Sequence, residues 1–281
     1  MKKIGIFGVV LIILVGSASA AVSLKLTGGM IYLLDSDYNQ GVRGAYEYYS
    51  DNFSGVSGQY HAFHLGLHFG GEVIVALDPR FGIGLGVGYI RASRQSAFGY
   101  EWWDFSEEES YKPTLSIVPL SLNLHYALPL GGPFVIDIYG GPGYYIASFQ
   151  HEGTLTSNFF GYEETTTFKA QKGVVGGQGG IGLEFQMNSV LGLVVQAEGR
   201  LARISDPTGD WTDQVDTLLV SWREQGRGRV FWCYDIGAGG RDYPRIAFSK
   251  TQPSDILFSN IRKGSINLSG ISAMAGLKIR F

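Results

Sequence analysis

The stretch Phe81-Gly-Ile-Gly-Leu-Gly-Val-Gly-Tyr89 decides the fold. Its period of two puts Phe81, Ile83, Leu85, Val87 and Tyr89 on one face of a strand and Gly82, Gly84, Gly86 and Gly88 on the other. Glycine inside a strand costs roughly 0.5–1 kcal/mol relative to alanine. A water-facing surface would take Thr, Lys or Glu at no such cost. Four alternate glycines therefore predict a face with no room, such as the interior of a small ring of strands filled by long side chains from its neighbours.

The same alternation predicts eight strands, at 22–34, 61–77, 81–90, 116–126, 134–147, 174–186, 191–202 and 271–281. Helical periodicity is weak after residue 20. The connections alternate in length: 35–60, 91–115, 148–173 and 203–270 are long, while Asp78-Pro79-Arg80, Gly131-Gly132-Pro133 and Met187-Asn188-Ser189-Val190 are short. In an up-and-down meander this places every long connection at one end. Transmembrane β-barrels have that polarity, with short periplasmic turns and long extracellular loops. The final strand, 271–281, is expected to close on 22–34. Within 203–270, residues 217–222 and 229–234 flank the Arg-rich 223–228 as a hairpin that either stays in the loop or adds two strands. Eight strands are favoured over ten because that turn is longer and more charged than the other short turns.

Alternation alone also fits a soluble lipocalin-like barrel with its apolar face inward. One face of the expected strands carries His64, His68, Glu72, Asn123, His125, Asp137, Glu184, Glu198, Arg200, Lys278 and Arg280; the other carries residues such as Leu65, Leu67, Phe69, Leu120, Leu122 and Leu124. The second face is too apolar for water. A one-residue slip would aim Arg200 at lipid, which costs roughly 2–4 kcal/mol near the midplane. The polar residues are therefore expected as a structural network in the lumen, where both signs of charge allow pairing.

Lys2 and Lys3, the apolar run 4–15 and Ala18-Ser-Ala20 form a secretory signal peptide over 1–20, leaving 21–281 as the barrel domain. The net charge of −3 gives no basic bias toward nucleic acid. The 41 glycines and 33 Phe and Tyr residues, without a collagen period, suit a crowded β architecture. Cys233 is alone, so no disulfide frames the fold.

No motif points to a cofactor or metal. Gly177 to Gly182 fits G-x-G-x-x-G but leads into Leu183-Glu-Phe with no helix to receive a phosphate. His64 and His68 share a face but sit about 13 Å apart on a strand, too far for one metal, and Ser121 and His125 are equally separated. No catalytic residue is therefore assigned. The acidic stretch Asp104 to Glu109 is expected as a solvated loop. Aromatic residues crowd the loops, among them Tyr38, Tyr46, Tyr48, Tyr49, Trp102, Trp103, Phe105, Phe159, Phe160 and Trp211, and suit an extracellular protein or glycan partner.

The signal peptide, the terminal Leu277-x-Ile279-x-Phe281 and the pair Val118 to Pro129 and Tyr139 to Tyr145 resemble the small bacterial outer-membrane β-barrel proteins, the OmpA/OmpX/OmpW-like group. The resemblance implies an outer-membrane location. It also implies that Leu277, Ile279 and Phe281 form an assembly signal read by the barrel-assembly machinery. The expected role is structural or surface-interacting, through long loops on a barrel with a filled lumen. The alternatives are a narrow channel for small or apolar solutes, an outer-leaflet lipid A-modifying enzyme, and the soluble lipocalin-like barrel. The connection 203–270 is longer than in the short-looped members.

Overall fold

The computed structural model describes residues 21–236, 241–254 and 258–281; the expected signal peptide lies outside them. In chain order the elements are β1 (Val22–Leu33), α1 (Asp37–Asn52), β2 (Val56–Gln59), β3 (Leu65–Ala76), β4 (Phe81–Ser93), β5 (Ser96–Trp102), β6 (Phe105–Gly131), β7 (Phe134–Ser157), β8 (Tyr162–Gln186), β9 (Leu191–Leu201), β10 (Arg203–Ser205), β11 (Thr208–Asp216), β12 (Ser221–Ile236), β13 (Asp242–Ser249), β14 (Phe258–Lys263), β15 (Ser265–Asn267) and β16 (Gly270–Arg280).

Eight strands form an antiparallel ring in the order β1-β3-β4-β6-β7-β8-β9-β16, and β16 returns to β1. The returning pair runs from Ser23 opposite Arg280 to Leu33 opposite Gly270. The short turns have local causes. The Asp78 carboxylate accepts from the N–H groups of Arg80 (2.6 Å) and Phe81 (2.7 Å), and the Asn188 side chain does the same for Val190 and Leu191 at 2.8 Å. In the two-residue turn Gly132-Pro133, Gly132 takes φ +59°, which glycine adopts without strain, and Gly131, at φ +95°, marks the register shift that ends β6. Phe281 N–H donates to the Val22 carbonyl (2.8 Å), so the last residue is tied down at this end.

The outward faces change character along each long strand. On β7 they run Phe134, Ile136, Ile138, Tyr144, Ile146 and then Ser148, Gln150, Glu152; on β6, upward, Leu124, Leu122, Leu120, Val118 give way to Ser116, Thr114, Lys112. Phe81 and Tyr126, and Phe134 and Phe185, meet as ring pairs near the short-turn end, while Tyr32, Tyr89 and Tyr144 stand outward at the other edge.

The long-connection end departs from the sequence expectation. Strands β6, β7 and β8 are 27, 24 and 25 residues long and continue past the apolar band. Their upper parts carry an open sheet ordered β13-β12-β11-β8-β7-β6-β5-β2. The expected turn at 223–228 is the interior of the continuous strand β12; the chain turns instead at Thr217 to Val220, where the Thr217 hydroxyl accepts from Val220 N–H at 2.9 Å. The segment 203–270 thus adds strands to the extension beside β8 rather than to the ring.

The connection 35–60, expected without helix, contains α1. Ser36 caps it by accepting from Asn39 N–H (3.4 Å), with Asp37 in the first turn. Tyr38, Val42, Ala45 and Tyr49 form its buried face. Its small face lies on β13, where a Cβ on Gly41 would come within 2.6 Å of Ile246 N. Asp37 is held by Arg262 at 2.8 and 2.9 Å and by Ser265 N–H and Oγ at 2.8 and 2.7 Å, while the Asn39 amide brackets the backbone of Phe63.

Candidate functional site: the filled interior

The inward side chains of the short-turn half build one ionic network. Lys278 Nζ lies 3.1 Å from Glu184, and Arg280 pairs with the same carboxylate. Asp137 receives His125 Nδ1 at 3.0 Å, and His125 Nε2 lies 3.0 Å from Glu72. Glu72 also accepts from Asn123 (2.7 Å) and pairs with Lys25 Nζ at 2.6 Å. Higher in the ring, Glu198 faces Tyr139 OH (3.2 Å) and Arg200 (3.5 Å), and Gln178 links Asn123 to Tyr145 OH. His68 meets the Ser272 hydroxyl at 3.0 Å. Glu72 is 7 % exposed and Arg200 2 %. Lys25, Arg200, Lys278 and Arg280, with His125 between two carboxylates, face Glu72, Asp137, Glu184 and Glu198, so both signs of charge meet inside the ring, the condition for keeping them out of water.

Ten of the eleven polar residues expected in the lumen are inward, and most join this network. His64 stands apart. Asn39 pins Phe63 inward just before β3 begins, which breaks the pleat; the His64 ring then stacks on the outward Tyr32 at 4.8 Å, with Nδ1 bonded to the Leu33 carbonyl. Three participants were missed. Lys25 alternates against Leu24 and Leu26, a signal present in the sequence. Tyr139 and Tyr145 share the inward parity of Asp137 on β7, and their faces meet cations: Lys25 Nζ sits 4.4 Å from the Tyr139 ring centre and the Arg200 guanidinium 5.4 Å from that of Tyr145.

The glycine face of β4 has the expected cause. A Cβ on Gly84 would overlap the Glu72 carboxylate and lie 2.6 Å from His125 Nε2; on Gly86 it would come within 2.5 Å of the Ser121 hydroxyl. What space remains between Lys25, Glu72, Ser121 and Glu198 is a cavity of ≈40 Å³, room for a few waters, and a wider one of ≈310 Å³ opens at the short-turn end among His125, Asp137, Glu184, Lys278 and Arg280. Both His125 nitrogens are engaged by carboxylates, so Ser121 and His125 do not form a nucleophile–base pair. Among the described residues no cluster of three His, Cys, Asp or Glu side chains could hold a metal ion.

Above the network the interior turns apolar. Ile31, Ile90, Leu115, Ile117, Ala147, Phe149 and Phe168 face inward and close on the buried face of α1. Tyr38 OH meets His151 Nδ1 at 3.0 Å, and burial drives the His151 pKa down to about 3. The stretch Asp104 to Glu109, expected as a solvated loop, opens β6 instead. Glu107 and Glu109 turn inward to the Tyr49 hydroxyl, and Glu109 also takes Tyr111 OH at 2.6 Å and Arg245 at 3.5 Å. Tyr38, Tyr49 and Trp211 are buried here, whereas Trp102, Trp103, Phe159 and Phe160 stand exposed at hairpin tips. Cys233 is fully buried, and burial pushes its thiol up to about 11.

The model of the outer membrane protein beta-barrel domain family matches residues 8–223. No curated protein matches the chain in sequence. Three solved structures are similar to the chain at low identity. A major outer membrane protein from Thermus thermophilus is 17 % identical, with 94 % of this chain and 100 % of that one covered and a TM-score of 0.41. The outer membrane protein OprG from Pseudomonas aeruginosa is 9 % identical, covering 95 % and 98 %, with a TM-score of 0.39. The outer membrane protease OmpT from Escherichia coli is 12 % identical, covering 94 % and 97 %, with a TM-score of 0.30.

Proposed function

We propose, since the chain belongs to the outer membrane protein beta-barrel domain family and so to the bacterial outer membrane, that its ring is a closed eight-stranded transmembrane barrel with a sealed lumen, which works as a rigid base presenting its loop-end sheet at the cell surface. The single observation carrying this reading is the two-layered filling of the ring, ionic network below and apolar core with α1 above.

The dimensions support it. From Phe134 to Tyr144 on β7 is about 33 Å along the strand, or about 25 Å along the normal at a tilt near 40°, the height of a barrel's apolar band. Closure follows from the solvent, because an unpaired strand edge has no water to satisfy it in hydrocarbon. A channel needs a continuous wet path, and here one would have to open both the salt-bridged layer and the core around Tyr38 and Phe149. An enzyme needs a free base beside a nucleophile, and His125 is held between Asp137 and Glu72. A soluble lipocalin-like barrel would hide its apolar face, whereas Leu67 is 53 % and Val195 64 % exposed.

Planar-bilayer recording on purified protein tests the reading. The expected trace is a flat baseline; steady, large openings in proportion to inserted protein would refute the sealed lumen.

A further inference from the structure

Three hairpin tips at the far end of the extension present aromatic and aliphatic side chains to solvent: Trp102 and Trp103 between β5 and β6, Phe159 and Phe160 between β7 and β8, and Leu218 and Leu219 between β11 and β12. They form one continuous crest. The Phe53 ring stacks on Tyr100 at 3.8 Å, Tyr100 meets Phe105 at 5.7 Å, Phe105 meets Phe159 at 6.3 Å, and Phe159 meets Phe160 at 4.5 Å. Leu218 N–H then donates to the Phe160 carbonyl at 3.0 Å. Asn158 ties the first two tips together, accepting from Ser106 N–H at 2.9 Å and donating to the Asp104 carbonyl. The rings enclose an open cavity of ≈690 Å³.

Two features separate this crest from incidental exposure. Trp103 and Phe160 hold φ values of +58° and +54°, a region that glycine or asparagine would fill at lower cost. The chain places two large aromatic residues there, and Trp103 is 92 % exposed. The second feature is charge. The segments 96–111, 155–168 and 211–222, which make the three tips, contain nine carboxylates, of which Glu109 is paired with Arg245, and the bases nearest in sequence, Lys112, Lys169 and Arg223, lie just beyond them down the strands. Glu101, Glu107 and Glu108 line a second, polar cleft of ≈310 Å³ that shares Tyr100 and Asn158 with the aromatic one.

We propose that this crest docks a cationic, apolar polypeptide segment, with Lys or Arg side chains over the aromatic faces and against the carboxylates while neighbouring apolar side chains fill the ring-lined cavity. The proposal rests on the surface-presenting role above and names the partner's chemistry. Cations are favoured at ring faces, and the carboxylate wall adds long-range attraction. A phosphate-rich or otherwise anionic partner would meet the wall as like charge, and a neutral glycan would use the rings without using the wall.

The test uses the full mature protein in zwitterionic lipid nanodiscs, with empty nanodiscs subtracted. Three labelled probes are compared: a 16-residue peptide of repeated Lys-Trp-Lys-Ala, its Glu-for-Lys counterpart, and maltoheptaose. The expected result is binding of the lysine peptide alone. That binding falls at least tenfold in the Trp103→Ser/Phe160→Ser variant and in Glu101→Gln/Glu108→Gln, and weakens several-fold from 50 to 500 mM salt. Both variants must keep the barrel's heat-modifiable mobility. Crest-dependent binding of the glutamate peptide or the oligosaccharide would overturn the cationic partner while leaving surface presentation intact. Lysine-peptide binding unchanged in both variants, or absent from the parent protein, would overturn the proposal outright. Failure of the role itself is read separately, in the conductance record.

Discussion

Adding one methyl group at Gly84 is the sharpest test of the filled interior. In Gly84→Ala the new Cβ would overlap the Glu72 carboxylate and sit 2.6 Å from His125 Nε2. Neither group can swing aside, because Glu72 is held by Lys25 and Asn123 and His125 by Asp137. Alanine in place of glycine should contribute about 0.5–1 kcal/mol through reduced backbone entropy. Against this, overpacking a tight interior costs about 1–3 kcal/mol, and loosening a hydrogen bond between charged groups about 1.5–3. The net expectation is a loss of about 1.5–5.5 kcal/mol. Gly182→Ala is the matched control: its Cβ would meet nothing nearer than Gln196 Cβ at 3.4 Å, ordinary contact, so that variant should be neutral or gain up to about 1 kcal/mol. Urea unfolding in lipid vesicles, followed by tryptophan fluorescence and heat-modifiable gel mobility, measures both. Equal midpoints for the two variants would refute the reading that the β4 glycines exist to make room for the network.

Three further outcomes are expected. Deleting Phe281 should lower the amount of protein assembled in the outer membrane several-fold while changing the unfolding midpoint of whatever does assemble by little; normal membrane levels would count against an assembly role for the terminus. Burial holds the His151 pKa near 3, well below its usual 6.5, so the neutral ring contributes stability that is fully present above pH 6.5 and is lost as pH falls toward 3. At pH 5 the loop-end core should be weaker by about 2 kcal/mol, seen as faster hydrogen exchange in α1, and His151→Phe should abolish the difference between pH 7 and pH 5. Cys233, buried with its thiol pushed up to about 11, should resist maleimide in the native protein and label fully only after unfolding; rapid native labelling would contradict its placement.

The ring was legible because its rule is local. A pleat alternates side chains by geometry alone, so Phe81 to Tyr89 shows which face lacks space, and Glu198 and Arg200 show which face cannot meet lipid. That rule failed where something outside the strand set the conformation, as at His64, where Asn39 from α1 pins Phe63 and shifts the pleat. The helix itself carried a readable signal: Tyr38, Val42, Ala45 and Tyr49 fall at helical spacing behind the capping Ser36. Gly41 and Gly44 blurred that signal, since they are poor helix formers kept for close approach to β13.

The extension was harder to see for a different reason. Above the membrane band β6, β7 and β8 have water on the outside and a protein core on the inside, so their pattern inverts relative to the part in lipid. In β6 the inward residues pass from His125 and Asn123 to Ile117 and Leu115, while the outward ones pass from Leu124 and Leu122 to Ser116 and Thr114. A scan for one continuous polarity breaks the strand at that crossing and assigns the remainder to a loop. The crossing is nevertheless physical information. Outward polarity must invert where the solvent changes from lipid to water, and inward polarity inverts where a barrel too narrow for more than side chains opens enough to admit a helix. Both inversions fall within about one turn of the same level on β6 and β7, with Ile117 opposite Ala147 and Ser116 opposite Ser148. On the proposed reading the upper surface of the bilayer and the floor of the α1-filled core are therefore at the same height, and the ring passes into the extension without a linker.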